Sequence, residues 1–224
     1  MLASQYPYES NSGDFARISP AVAAVEADQP GNDASPGGVS SSAAPVRFAA
    51  LDFETANYGR NSACALSIVT VENDRIIDTW TSLIRPPQRD FVFTYLHGIG
   101  WEHVKSKPSF AELWGDIAAK LQGMDFIAAH NAAFDRSVLK SCCEGAALRP
   151  VETPFVCTVK AARSIWGFHP ATLADVCRQL RIPLQHHDAE SDARACARIL
   201  LAARERGHEY GQVLKTCALK PKRT

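Results

Sequence analysis

The sequence predicts a mixed α/β domain, and three features of the chain support this prediction. The first 45 residues are rich in Ser, Pro, Gly and Ala, whereas dense apolar runs begin at Val46. Three segments of strand length follow one another from that point. Beyond residue 108, segments with helical periodicity alternate with short apolar runs, which is the pattern of an α/β domain.

Residues 1–45 are predicted to be a disordered tail. They hold too few large apolar side chains to offset the entropy of ordering the backbone. A short helix over Pro20–Asp28 is the alternative, because a Pro is favoured at the first position of a helix. We expect the folded domain to span residues 46–207, followed by a basic C-terminal extension at 208–224.

The first three strands are expected in the segments VRFAALDFE, SACALSIVTVE and RIIDTWTSLI. Asn73 and Asp74 lie between the second and third of these, and such residues favour a tight hairpin turn. The three strands should therefore form an antiparallel meander. Two shorter apolar runs, DFIAAH and TPFVCT, are predicted to be further strands.

Helices are expected between and after these later strands. Phe110, Leu113, Ile117 and Leu121 recur at helical spacing, which predicts a helix over about 109–122. AAFDRSVLKSCCEGAAL should form the next helix, with Asn131 as a candidate N-cap. Three more helices are expected in CTVKAARSIW, TLADVCRQLRI and DAESDARACARILLAARERG.

Charge and cysteine content limit the classes of function. A formal net charge of zero argues against a strongly basic nucleic-acid-binding protein, although the tail carries five acids and one base and leaves the remainder basic. No run approaches the length of a membrane helix, and the N-terminus lacks the features of a secretory signal. The seven scattered cysteines suggest reduced thiols, so we expect a cytoplasmic protein with no membrane partner.

Three segments carry candidate catalytic acids. Asp52 and Glu54 are two residues apart at the end of the first strand, so they project from the same face and repel each other unless a cation or a proton lies between them. Asp135 follows a short strand and falls in the first turn of a helix. Asp192 begins the last long helix, and His187 can approach it if Asp188 is the N-cap.

Taken in order, the segments DFET, HNAAFD and H-x-A-x-x-D resemble the Exo I, Exo II and Exo III motifs of the DEDD exonuclease superfamily. The histidine places the resemblance in the DEDDh subgroup, which includes the proofreading epsilon subunit of bacterial DNA polymerase III. The resemblance covers about residues 46–205 and includes LHGI at 96–99. It implies an RNase H-like fold with a five-stranded mixed sheet flanked by helices.

The resemblance also assigns roles to individual residues. The four metal-binding acids would be Asp52, Glu54, Asp135 and Asp192, and the general base would be His187. Candidate substrate contacts are Thr55, His97 and Asn131. Four carboxylates suit two Mg²⁺ or Mn²⁺ ions, which stabilise the attacking and leaving oxygens of a phosphodiester. His186 precedes the predicted base, but the family spacing selects His187, and we expect His186 to be a surface residue.

The implied activity is 3′-to-5′ hydrolysis of single-stranded or frayed DNA ends to 5′-mononucleotides. The implied partner is single-stranded nucleic acid, DNA rather than RNA, with a polymerase or repair protein as a further partner. An exoribonuclease with the same site is the alternative, because no residue can be assigned to a 2′-hydroxyl contact from the sequence. A binding domain that has lost catalysis is the other alternative, and the five intact residues argue against it. The four tryptophans are expected in the core rather than stacked on bases.

Overall fold

A five-stranded sheet forms the centre of the computed structural model, which describes residues 46–220. The strands are β1 (Arg47–Thr55), β2 (Ala63–Glu72), β3 (Arg75–Leu83), β4 (Phe126–Ala129) and β5 (Phe155–Cys157). The helices are α1 (Thr94–His97), α2 (Trp101–Val104), α3 (Phe110–Leu121), α4 (Ala133–Gly145), α5 (Thr158–Trp166), α6 (Leu173–Leu180), α7 (Ala189–Glu205) and α8 (Tyr210–Cys217). The predicted mixed α/β fold class is confirmed.

The strand order is β3-β2-β1-β4-β5. Strands β1 to β3 pair antiparallel, as predicted, whereas β4 and β5 run parallel to β1. The turn between β2 and β3 consists of Asn73 and Asp74, with φ angles of 51° and 60°. Two successive left-handed residues match the twist of a hairpin, and Asn and Asp tolerate this conformation.

Alternation along β1 creates two core layers. Phe48 and Ala50 pack with residues of α5 to α8 on one face of the sheet. Ala49, Leu51 and Phe53 pack with α3 and α4 on the other face. Because strand side chains alternate between faces, the even-numbered acids at the end of β1 lie on the α7 side.

Helix α3 begins where the sequence predicts, at a capping box. The Ser109 hydroxyl accepts a hydrogen bond from the Glu112 backbone N–H, and the Glu112 carboxylate accepts one from the Ser109 N–H at 2.7 Å. These bonds satisfy two polar groups at the helix end. Asp188 caps α7 in the predicted way, since its side chain accepts the Ser191 N–H at 2.9 Å.

Two local expectations differ from the structure. Asn131 is not the N-cap of α4, because it has a positive φ of 64° and the helix is preceded by Ala132 without a side-chain cap. The stretch after residue 207 is not only a basic extension. It contains α8, whose Tyr210, Val213 and Cys217 are buried in the core. Here tertiary packing stabilises a short helix that has weak local signals.

Other expectations concern the surface and the cysteines. All four tryptophans are half-buried and pack against core clusters, in agreement with the prediction. The seven cysteines are buried free thiols. No helix between residues 46 and 220 is long and apolar enough to cross a membrane. The tail predicted for residues 1–45 lies outside the described residues.

Candidate active site

The predicted acids meet where β1 ends. Asp52 and Glu54 point toward α7, and Asp192 lies in the first turn of that helix. Oxygen atoms of Asp52, Glu54 and Asp192 lie within 4.8 Å of one another. Small buried residues such as Ala193 and Ala197 let α7 pack closely against the sheet, which brings its first turn to the end of β1. This spacing allows one cation to contact more than one of the carboxylates.

Asp135, in the first turn of α4, also lies at the end of β1. Strand β4 runs parallel to β1, so the turn after Ala129 delivers the first turn of α4 next to the acids of β1. Asp135 is 2% exposed, and its Oδ1 accepts a hydrogen bond from the Phe53 N–H at 3.2 Å. The charge of Asp135 also raises the pKa of Asp52, which shows that the two carboxylates are neighbours.

Burial raises the pKa of all four acids, and repulsion from neighbouring carboxylates raises it further for Asp52 and Glu54. Burial is the largest cause for each of them. The pKa of Glu54 is raised to about 8, with the charge of Asp192 as the next cause. The pKa of Asp135 is raised to about 7, although backbone N–H groups and Arg60 oppose this shift. Such a cluster needs protons or cations to be stable at neutral pH.

One carboxylate oxygen of Asp192 accepts hydrogen bonds, and the other has no partner among the described residues. Its Oδ2 is 3.0 Å from the Nδ1 of His186 and accepts the His187 backbone N–H at 3.2 Å. Its Oδ1 is buried and has no hydrogen-bond partner within residues 46–220. A buried carboxylate oxygen without a partner is costly. The orphan oxygen fits a metal ligand, which is the role predicted for Asp192.

Both histidines before α7 lie in the site. Their rings stack with centroids 4.0 Å apart, and both line a cavity of about 430 Å³ together with Asp52, Glu54 and Asp192. His187 is half-buried, and burial followed by the charge of His186 lowers its pKa. His186 is exposed as expected, but its bond to Asp192 was not predicted from the family spacing. Both histidine rings therefore lie near Asp192, and the five-residue spacing between His187 and Asp192 does not by itself show which ring is closer.

Of the three candidate substrate contacts, Thr55 and His97 line the cavity. The Nδ1 of His97 accepts the Ile99 N–H at 3.0 Å, so its Nε2 carries the proton and donates to the Thr55 carbonyl at 3.1 Å. Burial lowers the pKa of His97, which is therefore a neutral, fixed ring. Asn131 is exposed on the turn before α4 and does not line this cavity.

Several residues of the cavity wall were not predicted from the sequence. His130 contacts Thr158 at 2.8 Å and the Ala171 carbonyl at 3.0 Å, and burial lowers its pKa to about 4. Phe134 also lines the cavity and is covered by the Arg60 guanidinium, 4.4 Å from the ring centroid. Both His130 and Phe134 belong to the HNAAFD segment, so the motif itself was the available signal. The remaining missed wall residues are Phe53, Phe93, Leu96, Thr172 and Leu173.

Comparison with known proteins agrees with this geometry. The exonuclease family termed RNase_T matches residues 49–200. The PolC-type DNA polymerase III of Thermotoga petrophila is 28% identical over 158 residues, which cover 69% of this chain and 12% of that polymerase. The chain thus spans about an eighth of the length of the curated relatives it matches.

Solved structures share the fold at low sequence identity. Exonuclease X in complex with 5′ overhanging duplex DNA has a TM-score of 0.61 and 22% identity, over 76% of this chain and 98% of that one. The nuclease domain of 3′hExo, a DEDDh family member bound to rAMP, has a TM-score of 0.63 and 17% identity, over 72% and 92% of the two chains. The RNase H-like fold and the nuclease class predicted from the motifs are confirmed, and the chain belongs to the RNase_T exonuclease family.

Proposed function

We propose that the protein is a metal-dependent 3′-to-5′ exonuclease that removes 5′-mononucleotides from single-stranded or frayed DNA ends. The observation that carries this proposal is the convergence of Asp52, Glu54, Asp192 and His187 around one open cavity, with Asp135 hydrogen-bonded to the Phe53 N–H at the same strand end. The match to the RNase_T exonuclease family over residues 49–200 supports hydrolysis of a phosphodiester at this site. Polarity, substrate and mechanism are the parts that we infer.

The donor set fits two Mg²⁺ or Mn²⁺ ions. Hard divalent cations prefer carboxylate oxygens, and Asp52, Glu54, Asp135 and Asp192 would hold them. The unpartnered Oδ1 of Asp192 and the mutual repulsion that raises the pKa of Asp52 and Glu54 both fit a site that binds cations. When bound, the two ions supply Lewis-acid stabilisation of the attacking and leaving oxygens and acidify a bound water.

His187 is proposed to accept the proton of the attacking water. Its lowered pKa keeps the ring neutral near pH 7, which a general base requires. As the proton moves to a ring nitrogen of His187, the water oxygen forms a bond to phosphorus and the bond from phosphorus to the 3′ oxygen breaks. The terminal nucleotide leaves with a 5′-phosphate, and the 3′ oxygen of the shortened strand takes up a proton from solvent to become a 3′-hydroxyl.

The shape of the site favours a strand end as the substrate. The cavity combines the acids with apolar walls at Phe93, Leu96 and Phe134, against which a terminal base can pack. Exonuclease X, which is similar in fold, has been solved with 5′ overhanging duplex DNA. These points support DNA as the substrate. The similarity to PolC-type polymerases supports a replication or repair partner, and the buried free thiols fit a cytoplasmic location.

An exoribonuclease with the same site is the second candidate. The similar domain of 3′hExo is bound to rAMP, so the fold also accommodates a ribonucleotide. The acids and His187 would perform the same hydrolysis on either sugar. A binding domain without catalysis has less support, because Asp52, Glu54, Asp192 and His187 lie around one cavity and Asp135 contacts the same strand end at Phe53.

The test is digestion of single-stranded DNA and RNA of one sequence, labelled at the 5′ end and, in a parallel sample, at the 3′ end, with Mg²⁺, Mn²⁺ or excess chelator. We expect a ladder that shortens from the 3′ end of DNA, mononucleotide products, and no reaction in chelator. Faster digestion of RNA would favour the second candidate. An intact substrate under every metal condition would contradict catalysis, and 3′-labelled products longer than one nucleotide would contradict exonucleolytic release.

A further inference from the structure

We propose that His186 is a positioning residue that orients both the carboxylate of Asp192 and the ring of His187. This inference rests on the proposed function, because it assumes that Asp192 binds metal and that His187 is the base. It adds a residue to which neither the motif spacing nor the comparisons give a role. Two separate contacts of the His186 ring carry the inference.

The first contact fixes Asp192. The Nδ1–H of His186 donates to Asp192 Oδ2 at 3.0 Å, and the His187 backbone N–H donates to the same oxygen at 3.2 Å. Asp192 is only 4% exposed, so water does not compete freely for this oxygen. Two donors on Oδ2 fix the rotation of the carboxylate and leave the orphan Oδ1 for a cation. Partners behind metal ligands typically change metal affinity by about 10- to 100-fold.

The second contact fixes His187. The two imidazole rings are nearly parallel, with an interplanar angle of 14° and centroids 4.0 Å apart. His187 has a positive φ of 67°, so the backbone presents its side chain from an uncommon conformation beside the cavity. The His186 ring covers one face of the base and limits its rotation about the side-chain bonds.

The same geometry argues against His186 as a metal ligand. A metal bound to imidazole lies in the plane of the ring. Ligand atoms of His186, His187 and Asp192 lie within 4.8 Å of one another, but the two rings are stacked, so both could bind one ion only by rotating out of the stack. Nδ1 of His186 is already engaged by Asp192, and 42% of the side chain is exposed to solvent. The His186 ring therefore contacts the proposed metal ligand Asp192 and the proposed base His187 without binding the metal itself.

Two substitutions separate the two contacts. His186→Asn retains a donor at the position of Nδ1 but loses the ring, whereas His186→Phe retains a ring for stacking but loses the donor. The full chain is stripped with EDTA, and Mn²⁺ binding is measured by titration calorimetry. Turnover of single-stranded DNA is then measured at saturating Mn²⁺. His103→Ala is the control, because His103 is an exposed histidine whose Nδ1 makes one hydrogen bond outside the cavity, to the Gly100 N–H.

We expect one substitution to affect mainly Mn²⁺ binding and the other to affect mainly turnover. His186→Phe should weaken Mn²⁺ binding about 10- to 100-fold, and His186→Asn should weaken it no more than about threefold. At saturating Mn²⁺, His186→Asn should lose about 10-fold in turnover and more than His186→Phe, because a displaced base reduces the rate of the chemical step. The His103→Ala control should match the unmodified protein in both measurements.

Wild-type Mn²⁺ affinity in His186→Phe would overturn the donor role, and wild-type turnover in His186→Asn would overturn the stacking role. Asp192→Asn distinguishes these failures from a failure of the proposed function. If Asp192→Asn also binds Mn²⁺ normally, the metal site itself is misassigned. If only that variant loses binding, the site stands and the positioning role of His186 is wrong.

Discussion

Replacement of Asp135 by Asn tests whether the buried acids destabilise the metal-free protein. Asp135 is 2% exposed, and its Oδ1 accepts the Phe53 N–H at 3.2 Å. Asn has almost the same volume and keeps an oxygen for this hydrogen bond. The substitution therefore removes a charge with little change in packing. It also removes a proposed metal ligand, so stability and turnover should change in opposite directions.

The magnitude follows from the pKa of Asp135. Burial raises this pKa from 3.8 to about 7, so the folded protein binds a proton more tightly than the unfolded chain. Stability therefore falls as the pH rises between these two values and stays constant above them. The cost of ionising Asp135 is at most about 4 kcal/mol at pH 8 and less than about 1 kcal/mol at pH 4. The Asn variant does not have this cost.

The assay is thermal unfolding in EDTA from pH 4 to pH 8. For a chain of this size, 1 kcal/mol shifts the Tm by about 2–4 °C. Asp135→Asn should therefore raise the Tm by on the order of 10 °C at pH 8 and by only about 2 °C at pH 4. Asp116→Asn is the matched control, because Asp116 is an exposed acid of α3 outside the cavity, and its Tm difference should be small at every pH.

Turnover of Asp135→Asn in saturating Mg²⁺ should fall by a factor of at least about 100, because a charged ligand is lost. A Tm difference that is independent of pH would refute the reasoning about burial. Near-normal turnover would refute the assignment of Asp135 to the metal site. Either result can occur without the other, so the two parts of the argument are tested separately.

Three further predictions concern the metal, the base and the tail. Saturating Mg²⁺ or Mn²⁺ should raise the Tm by several degrees, since cations relieve the repulsion of the acids, and an unchanged Tm in calorimetry would contradict their clustering. The rate should rise with pH through the titration of His187, whose burial moves its pKa below 6.5. His187→Ala should lower turnover by about 100-fold and flatten this rise in a pH–rate profile, and a retained rise would exclude His187 as the base. Deletion of residues 2–45 should leave turnover and Tm nearly unchanged, because a tail without core contacts adds no stability, and unfolding of the shortened chain would mean that the domain begins earlier.

Several parts of the fold could be predicted from short stretches of sequence. The turn at Asn73 and Asp74, the capping box at Ser109 and the N-cap at Asp188 each depend on residues within one turn of the chain. The apolar periodicity of α3 likewise predicts its bounds to within a residue. These signals are local, because hydrogen bonds and preferred dihedral angles are set by immediate neighbours.

The sequence also determined which acids are candidates, because their order and spacing match the DEDDh motifs. It did not determine the N-terminus of α4, where Asn131 looks like a cap and is instead a left-handed residue before Ala132. It did not predict α8 either, whose short helix is stabilised by packing of Tyr210 against Phe48 and Phe126. In both cases the structure depends on contacts between distant segments.

Only the tertiary structure decided how the site is arranged. Parallel pairing of β4 with β1 brings Asp135 to Phe53, which is 82 residues away in the sequence. Close packing of α7 on the sheet then places Asp192 opposite Asp52. The bond from His186 to Asp192 arises in the same way, from the path of the loop before α7. Motif spacing identifies which residue types are present, but distances between side chains from separate elements are set by how those elements pack, and this packing is not encoded in any one segment.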